Sequence, residues 1–267
     1  MRRLPFVSRS IDARVLAKRR SLKLNGAEIQ RTPLLVPSFS SKGFAEVANI
    51  IETTKEVIEG PTLVSAYDLH HGFVTGPFDF ASMLFLDSGG YESSKDWELS
   101  EISEREYRPR PWSQALHNDV LANWSSTVPT VFISYDHPKE RLRTGEQIAR
   151  ARAAISKRSD VMHETLLKPE TETARFLDVH AILPHIHDLA PFDAIGVTEK
   201  EIGNSILERM EHIARLRNAL TAAGMDIPIH VFGSLDTITS PMYFLAGADI
   251  FDGLTWLRFA FYKGYDV

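Results

Sequence analysis

The sequence predicts an α/β fold, a (β/α)8 barrel, and three observations predict it. Eight short apolar runs recur along the 267 residues. Helical patterns separate most of them, and strands alternating with helices build a parallel sheet through right-handed crossovers. The length suits one barrel of about 250 residues. Neither GxGxxG nor GxxxxGK[ST] occurs, which counts against dinucleotide and P-loop chemistry. A doubly wound open sheet is the alternative architecture.

The elements follow in order. Leu34 to Pro37 is the first strand, and a helical pattern runs from Phe44 to Ile58, stopped by Gly60-Pro61. Thr62 to Ser65 and Leu84 to Leu86 are the second and third strands, the latter ending in Asp87-Ser88-Gly89-Gly90. Residues 92–118 are polar and irregular, long for a βα loop, and read as a lid or an insertion. Thr130 to Ser134 is the fourth strand. A helix from Thr144 to about Lys157 follows, with Thr144 and Gln147 spaced as a capping box. Val179 to Leu183 reads as the fifth strand and Asp193 to Val197 as the sixth. Ile206, Met210, Ile213, Leu216 and Leu220 then mark an amphipathic helix that ends before Gly224. Pro228 to Phe232 is the seventh strand, a short helix contains Tyr243-Phe244-Leu245, and Ile250-Phe251 is the eighth strand.

Composition narrows the class. Hydrophobic residues make up 43 % and charged residues 24 %, which suits a globular core. The absence of cysteine excludes disulfides, a thiol nucleophile and thiolate metal sites. No apolar run approaches the roughly 20 residues of a membrane span, and no signal peptide is visible, so a cytoplasmic protein is expected. Residues 1–31 hold nine basic and two acidic residues, so they carry +7 and the remainder −12 of the overall −5. They read as a basic arm before a catalytic barrel at 32–267. The arm is either a solvated leader or a contact for a phosphate backbone.

Active residues of a barrel sit at the C-terminal ends of its strands. Asp87, Asp136 and Asp252 occupy such places after the third, fourth and eighth strands. Each alone could cap a helix. Together they suggest an acidic mouth in which carboxyl groups push each other's pKa apart, giving one anionic nucleophile and one proton carrier. That combination suits glycosyl transfer or hydrolysis. Tyr91 could stack on a flat ligand, and Gly89 and Gly90 would let backbone approach it. His180, His185, His187 and Asp188 include metal-capable donors but read as capping or exposed groups.

Six segments then carry a likeness: Thr32-Pro33-Leu34-Leu35-Val36-Pro37, Ser65-Ala66-Tyr67-Asp68-Leu69, Asp87-Ser88-Gly89-Gly90-Tyr91-Glu92, Ser134-Tyr135-Asp136-His137-Pro138, Phe192-Asp193-Ala194-Ile195-Gly196-Val197, and Gly247-Ala248-Asp249-Ile250-Phe251-Asp252-Gly253 with Arg258. In this order they resemble the motifs of the tRNA-guanine transglycosylases, which exchange guanine for a 7-deazaguanine base such as queuine or preQ1. The resemblance implies that Asp252 attacks C1′ of the target nucleoside and that Asp87 is the general acid/base. It implies that Asp136 binds the guanine-like edge and Tyr91 stacks on the base. Gly196 and Val197 would offer backbone groups, and Phe232 an opposing wall. Arg258 matches the arginine after the family's last motif. The target nucleotide would have to leave its stack to reach such a pocket. No cofactor and no metal at the site are implied.

The chain also departs from the family pattern. The family's structural zinc site uses three cysteines and a histidine beyond the eighth strand, and only 15 cysteine-free residues follow Asp252 here. The zinc subdomain is therefore expected to be absent and the eighth helix truncated or replaced. The family's base-reading glutamine falls near Pro184, and its asparagine-histidine pair is Ser65 and Asp68. These changes leave tRNA and DNA both open as substrates, the latter as in the family's divergent DNA-modifying relatives. They also leave open a noncatalytic subunit that binds nucleic acid or a partner, and a barrel hydrolase or lyase for small molecules. A homodimer or a partner subunit is expected.

Overall fold

Short runs of buried aliphatic residues supply the barrel strands, because a parallel strand in this architecture is covered on both faces. The computed structural model describes residues 15–94, 107–125, 127–137, 139–155, 158–262 and 265–266. An antiparallel hairpin comes first, β1 (Ser21–Leu24) and β2 (Ala27–Arg31). Asn25 and Gly26 turn it with φ of 52° and 83°, the left-handed backbone that a two-residue hairpin turn requires. The barrel strands are β3 (Leu34–Pro37), β4 (Thr62–Ser65), β5 (Leu84–Asp87), β6 (Thr130–Ile133), β7 (Met162–Leu167), β8 (Ala194–Thr198), β9 (Ile229–Phe232) and β10 (Ile250–Gly253). They form one parallel sheet in the order β3-β10-β9-β8-β7-β6-β5-β4. A bridge between Ser38 and Leu63 brings its ends together. Phe39 N donates to Leu63 O at 2.9 Å, and Thr62 Oγ1 to Pro37 O at 2.7 Å across the same seam. The architecture is the (β/α)8 barrel that the alternation of elements predicts.

The helices are α1 (Val47–Thr54), α2 (Ala66–His70), α3 (Gly90–Ser93), α4 (Gln114–Asn123), α5 (Thr144–Ile155), α6 (Val179–Ile182), α7 (Ile206–Ala222) and α8 (Thr239–Leu245). Among the described residues no α-helix follows β10. A 3-10 turn, Thr255–Leu257, and two short antiparallel strands, Phe261–Tyr262 and Tyr265–Asp266, stand in its place. Leu35 points outward from β3 and is 59 % exposed, as expected where a covering helix is missing. Of the irregular 92–118 segment, residues 95–106 lie outside the described residues, and α4 begins within its second half.

One strand assignment needs correction. Val179 to Leu183 is not the fifth barrel strand. Val179–Ile182 is a helical turn whose N-cap, Asp178, accepts a hydrogen bond from His180 N at 2.8 Å. It runs on into a 3-10 turn, Leu183–Leu189. The fifth barrel strand is Met162–Leu167, buried at all six positions and paired with β6 on one side and β8 on the other. Its His163, Glu164 and Thr165 interrupt the apolar run that marks a strand in sequence.

The base of the barrel is closed by the N-terminal hairpin. Leu22 is fully buried and packs with Leu34, Val36, Met83, Val131, Met162 and Ile250 inside the strands. Arg20, from the basic leading segment, is buried too. Its guanidinium donates to Asp249 Oδ1 at 2.7 Å and Asp226 Oδ1 at 2.8 Å. Arg217 Nη2 donates to Asp249 Oδ2 at 2.6 Å. This places the buried ion pairs at the N-terminal end of β10, opposite the mouth, where they act on stability and not on chemistry. Two further apolar layers fill the space between strands and helices. Ile195, Val197, Ile213, Leu216 and Phe251 lie in one, and Val64, Leu84, Leu86 and Phe132 in the other.

Candidate active site

Parallel register brings the C-terminal ends of the strands to one mouth. Asp87 ends β5, Asp136 follows β6, Lys168 follows β7, Thr198 ends β8, Phe232 ends β9 and Asp252 lies in β10. A cavity of about 530 Å3 opens there, lined among others by Asp87, Gly90, Tyr91, Asp136, Lys168 and Phe232. That volume suits a small ligand or one nucleoside. Asp252 is only 6 % exposed and is not among the lining residues.

The three sequence-selected aspartates sit in different environments. Asp87 is pushed up to about 6, first by burial and then by the negative charges of Asp252 and Asp136. The Gly89 N–H, which donates to Asp87 Oδ2 at 3.1 Å, works in the opposite direction. Asp136 faces two cations, with Lys168 Nζ 3.3 Å from Oδ2 and Arg141 Nη1 3.5 Å from Oδ1. Lys168 also donates to Glu201 Oε2 at 2.7 Å and Thr198 Oγ1 at 3.0 Å. Burial pulls the Lys168 pKa down, but the carboxylates of Asp136 and Glu201 raise it more. Lys168 and Arg141 thus hold Asp136 in place and take up part of its hydrogen-bonding capacity.

Asp252 lies against two side chains that sequence reasoning did not single out. Its Oδ1 accepts from Gly233 N at 3.0 Å and lies 3.3 Å from His230 Nε2. Its Oδ2 accepts from Ser38 Oγ at 2.8 Å. On the far side of the imidazole, His230 Nδ1 lies 3.0 and 3.2 Å from the two oxygens of Glu164. Both side chains are fully buried. Burial opposes a charge on His230, yet Glu164 and Asp252 carry its pKa up to about 9. Alternation along the strands puts Glu164 and Leu166 on the inner face of β7, and His230 and Phe232 on the inner face of β9. Phe232 stacks on His230 at 3.9 Å between centroids. Gly196 makes room for this contact: a Cβ there would lie 2.6 Å from Phe232 Cε2 and 2.7 Å from Glu164 Oε1. Val197 alternates outward, and its side chain packs in the helix layer.

The loop after β5 supplies the other wall. Gly89 has φ 82° and is the N-cap residue before α3, and a Cβ on it would meet Tyr67 Cβ at 2.5 Å. A Cβ on Gly90 would meet Asp136 Oδ2 at 2.7 Å, so backbone and carboxylate touch there. Tyr91 has Lys42 Nζ 4.4 Å from its ring centroid. Its buried hydroxyl has no hydrogen-bond partner and is pushed up to about 12 by burial, helped by Glu92 and opposed by Arg258. Arg258 is not among the cavity's lining residues, and its guanidinium lies 5.7 Å from the centroid of Phe44. Glu92 is buried, accepts from Ser40 Oγ at 2.5 Å and is raised well above the usual carboxyl range by burial and by Asp68 and Asp87. Lys42 Nζ donates to Tyr91 O at 2.9 Å, and burial lowers its pKa to about 8.

The mouth therefore combines a carboxyl whose proton affinity is raised toward neutral pH, a second carboxylate beside an imidazole, an aromatic wall and several cations. Such a set can move a proton and hold an anionic or planar ligand. Among the described residues, no group of three or more His, Asp or Glu side chains is arranged to hold a metal ion. His185 pairs with Asp188 at 3.1 Å on the 3-10 turn after α6. No helix of the described residues is long and apolar enough to cross a membrane. The barrel itself is of the kind that glycosidases and transglycosylases use, among many other enzymes. Set against known proteins, the chain matches no family model and no curated protein.

Proposed function

We propose that this barrel is a base-exchanging transglycosylase, which replaces guanine by a 7-deazaguanine base in tRNA or DNA. One observation carries the reading: two carboxyl groups of one mouth stand in opposite environments. Asp87 is buried beside negative charge and raised to about 6, while Asp252 lies 3.3 Å from an imidazole raised to about 9. A proton donor and an anionic nucleophile are what glycosyl transfer with a covalent intermediate requires.

In this reading a carboxylate oxygen of Asp252 attacks C1′ and the C1′–N9 bond breaks. The bonding electrons pass to N9, which takes the proton of Asp87. The incoming base returns a proton from N9 to Asp87, its N9 attacks C1′, and the Asp252 ester bond breaks. Tyr91 and Phe232 flank the base, Asp136 meets its edge, and Gly90 and Gly196 keep side chains out of the way. Lys139, Arg141, Lys168 and Lys200 on the cavity wall suit the phosphates of a nucleotide.

The test is exchange of labelled guanine, and separately of labelled preQ1, into bulk tRNA and double-stranded DNA, with Asp252→Asn alongside. Label entering one polymer and absent with the variant is the expected result, and it selects the substrate class. A folded protein that labels neither polymer sinks the reading and turns attention to a noncatalytic partner subunit. Turnover of free nucleosides without polymer points instead to a small-molecule barrel enzyme.

A further inference from the structure

Three buried side chains from three strands form a line inside the barrel: Glu164 on β7, His230 on β9 and Asp252 on β10. Both ring nitrogens of His230 face carboxylates. A carboxylate only accepts hydrogen bonds, so a neutral imidazole would turn one lone pair toward an anion. With both nitrogens protonated, the ring carries a positive charge within ion-pair distance of both carboxylates, although Nε2 makes no hydrogen bond. Phe232 stacked on one face, and Phe85 edge-on at 5.4 Å, fix the ring's orientation. Among the described residues, Glu164 and Asp252 are the charged groups that face the ring. Phe85 from β5 and Phe232 from its own strand face it without charge.

Each oxygen of Asp252 accepts one hydrogen bond, but only Oδ1 also has a cation beside it. Oδ1 receives Gly233 N–H and faces His230, whereas Oδ2 receives only Ser38 Oγ. Each carboxylate oxygen offers about two acceptor directions. The remaining direction on Oδ1 is occupied by the His230 ion-pair contact, and the one on Oδ2 is left open.

We propose that His230 is a positively charged positioning residue that holds Oδ1 of Asp252 and leaves Oδ2 as the oxygen that reacts, with Glu164 keeping the second ring proton in place. The proposal rests on the base-exchange reading for the reaction at Oδ2, but not for the charge on His230. Its chemical consequence is electrostatic. A fixed positive charge stabilises the Asp252 carboxylate when the ester bond to C1′ breaks, so the second half of the exchange is helped. His230 keeps both protons throughout and takes no part in proton transfer, which stays with Asp87.

The test has two arms. The first is nitrogen NMR of the full chain labelled at histidine, with the His230 signals identified by their loss in His230→Gln. Both ring nitrogens are expected to be protonated at neutral pH in the wild type. Glu164→Gln is expected to lower the titration midpoint by about one pH unit or more. A His230 that is neutral at neutral pH in the wild type overturns the proposal. The second arm is kinetic. His230→Gln keeps a donor toward Asp252 but removes the charge, so kcat for guanine exchange should fall about tenfold or more while KM stays within about threefold. In Glu164→Gln the alkaline limb of kcat should move to lower pH with the NMR midpoint. A limb that stays in place while the midpoint moves overturns the proposed role. If the wild type exchanges no base although His230 is charged, the base-exchange reading has failed and the charge assignment stands.

Discussion

Asp87, at the end of β5, senses the charge of Asp252, three strands away in β10: the carboxylate of Asp252 adds to burial in raising Asp87 to about 6. A raised carboxyl binds its proton more tightly in the folded state. Its contribution to stability is therefore present below the ordinary value of 3.8 and is lost as pH rises through about 6. Asp87→Asn should thus stabilise the protein above pH 6, by about 3 kcal/mol at most, and leave it unchanged in acid. Thermal unfolding on both sides of that pH checks this. Equal shifts at both would show that Asp87 is not raised. The same variant should lose about 10²–10⁴ in exchange rate, the range of a missing general acid.

Gly196 is required by volume and not by backbone strain. A methyl group there would run into both Phe232 and Glu164, with approaches of 2.6 and 2.7 Å. Gly196→Ala should cost about 1–3 kcal/mol by overpacking and should displace the ring that stacks on His230. Urea unfolding reports the first effect and the histidine NMR signals the second. A variant with unchanged stability and unchanged His230 signals would mean that the inner face yields to the methyl group.

The base of the barrel tests stability apart from chemistry. Asp249 accepts from Arg20 Nη1, Arg217 Nη2 and Ile229 N, at 2.7, 2.6 and 2.9 Å. Arg217→Met removes one cation from a fully buried carboxylate and should cost about 3 kcal/mol or more. It should leave KM for a nucleic acid or base unchanged, because the network lies at the far end of the strands. A loss under about 1 kcal/mol in chemical denaturation would show that Arg20 alone holds Asp249.

Much of the candidate site can be read along the chain. Asp87 and Asp252 stand where apolar runs stop, and parallel strands make such stops converge. Gly89-Gly90 and Tyr91 follow directly, so their placement at the mouth comes with Asp87. Glu164 and His230 were not legible in this way. A buried glutamate breaks up the apolar pattern of Met162–Leu167, and Val179–Leu183, with more aliphatic residues, reads as the better strand. The usable signal was alternation: Met162, Glu164 and Leu166 share one face, as do His230 and Phe232. It has meaning only once that face is known to be the barrel interior.

By itself, the sequence determined the barrel class, seven of its eight strands and the three aspartates at their ends, because hydrophobic period and turn chemistry are local properties. Only the tertiary structure decided the identity of the fifth strand and the partners of Asp252. Those depend on register between strands far apart in the chain, where a few ångströms determine whether a buried histidine meets two carboxylates or none.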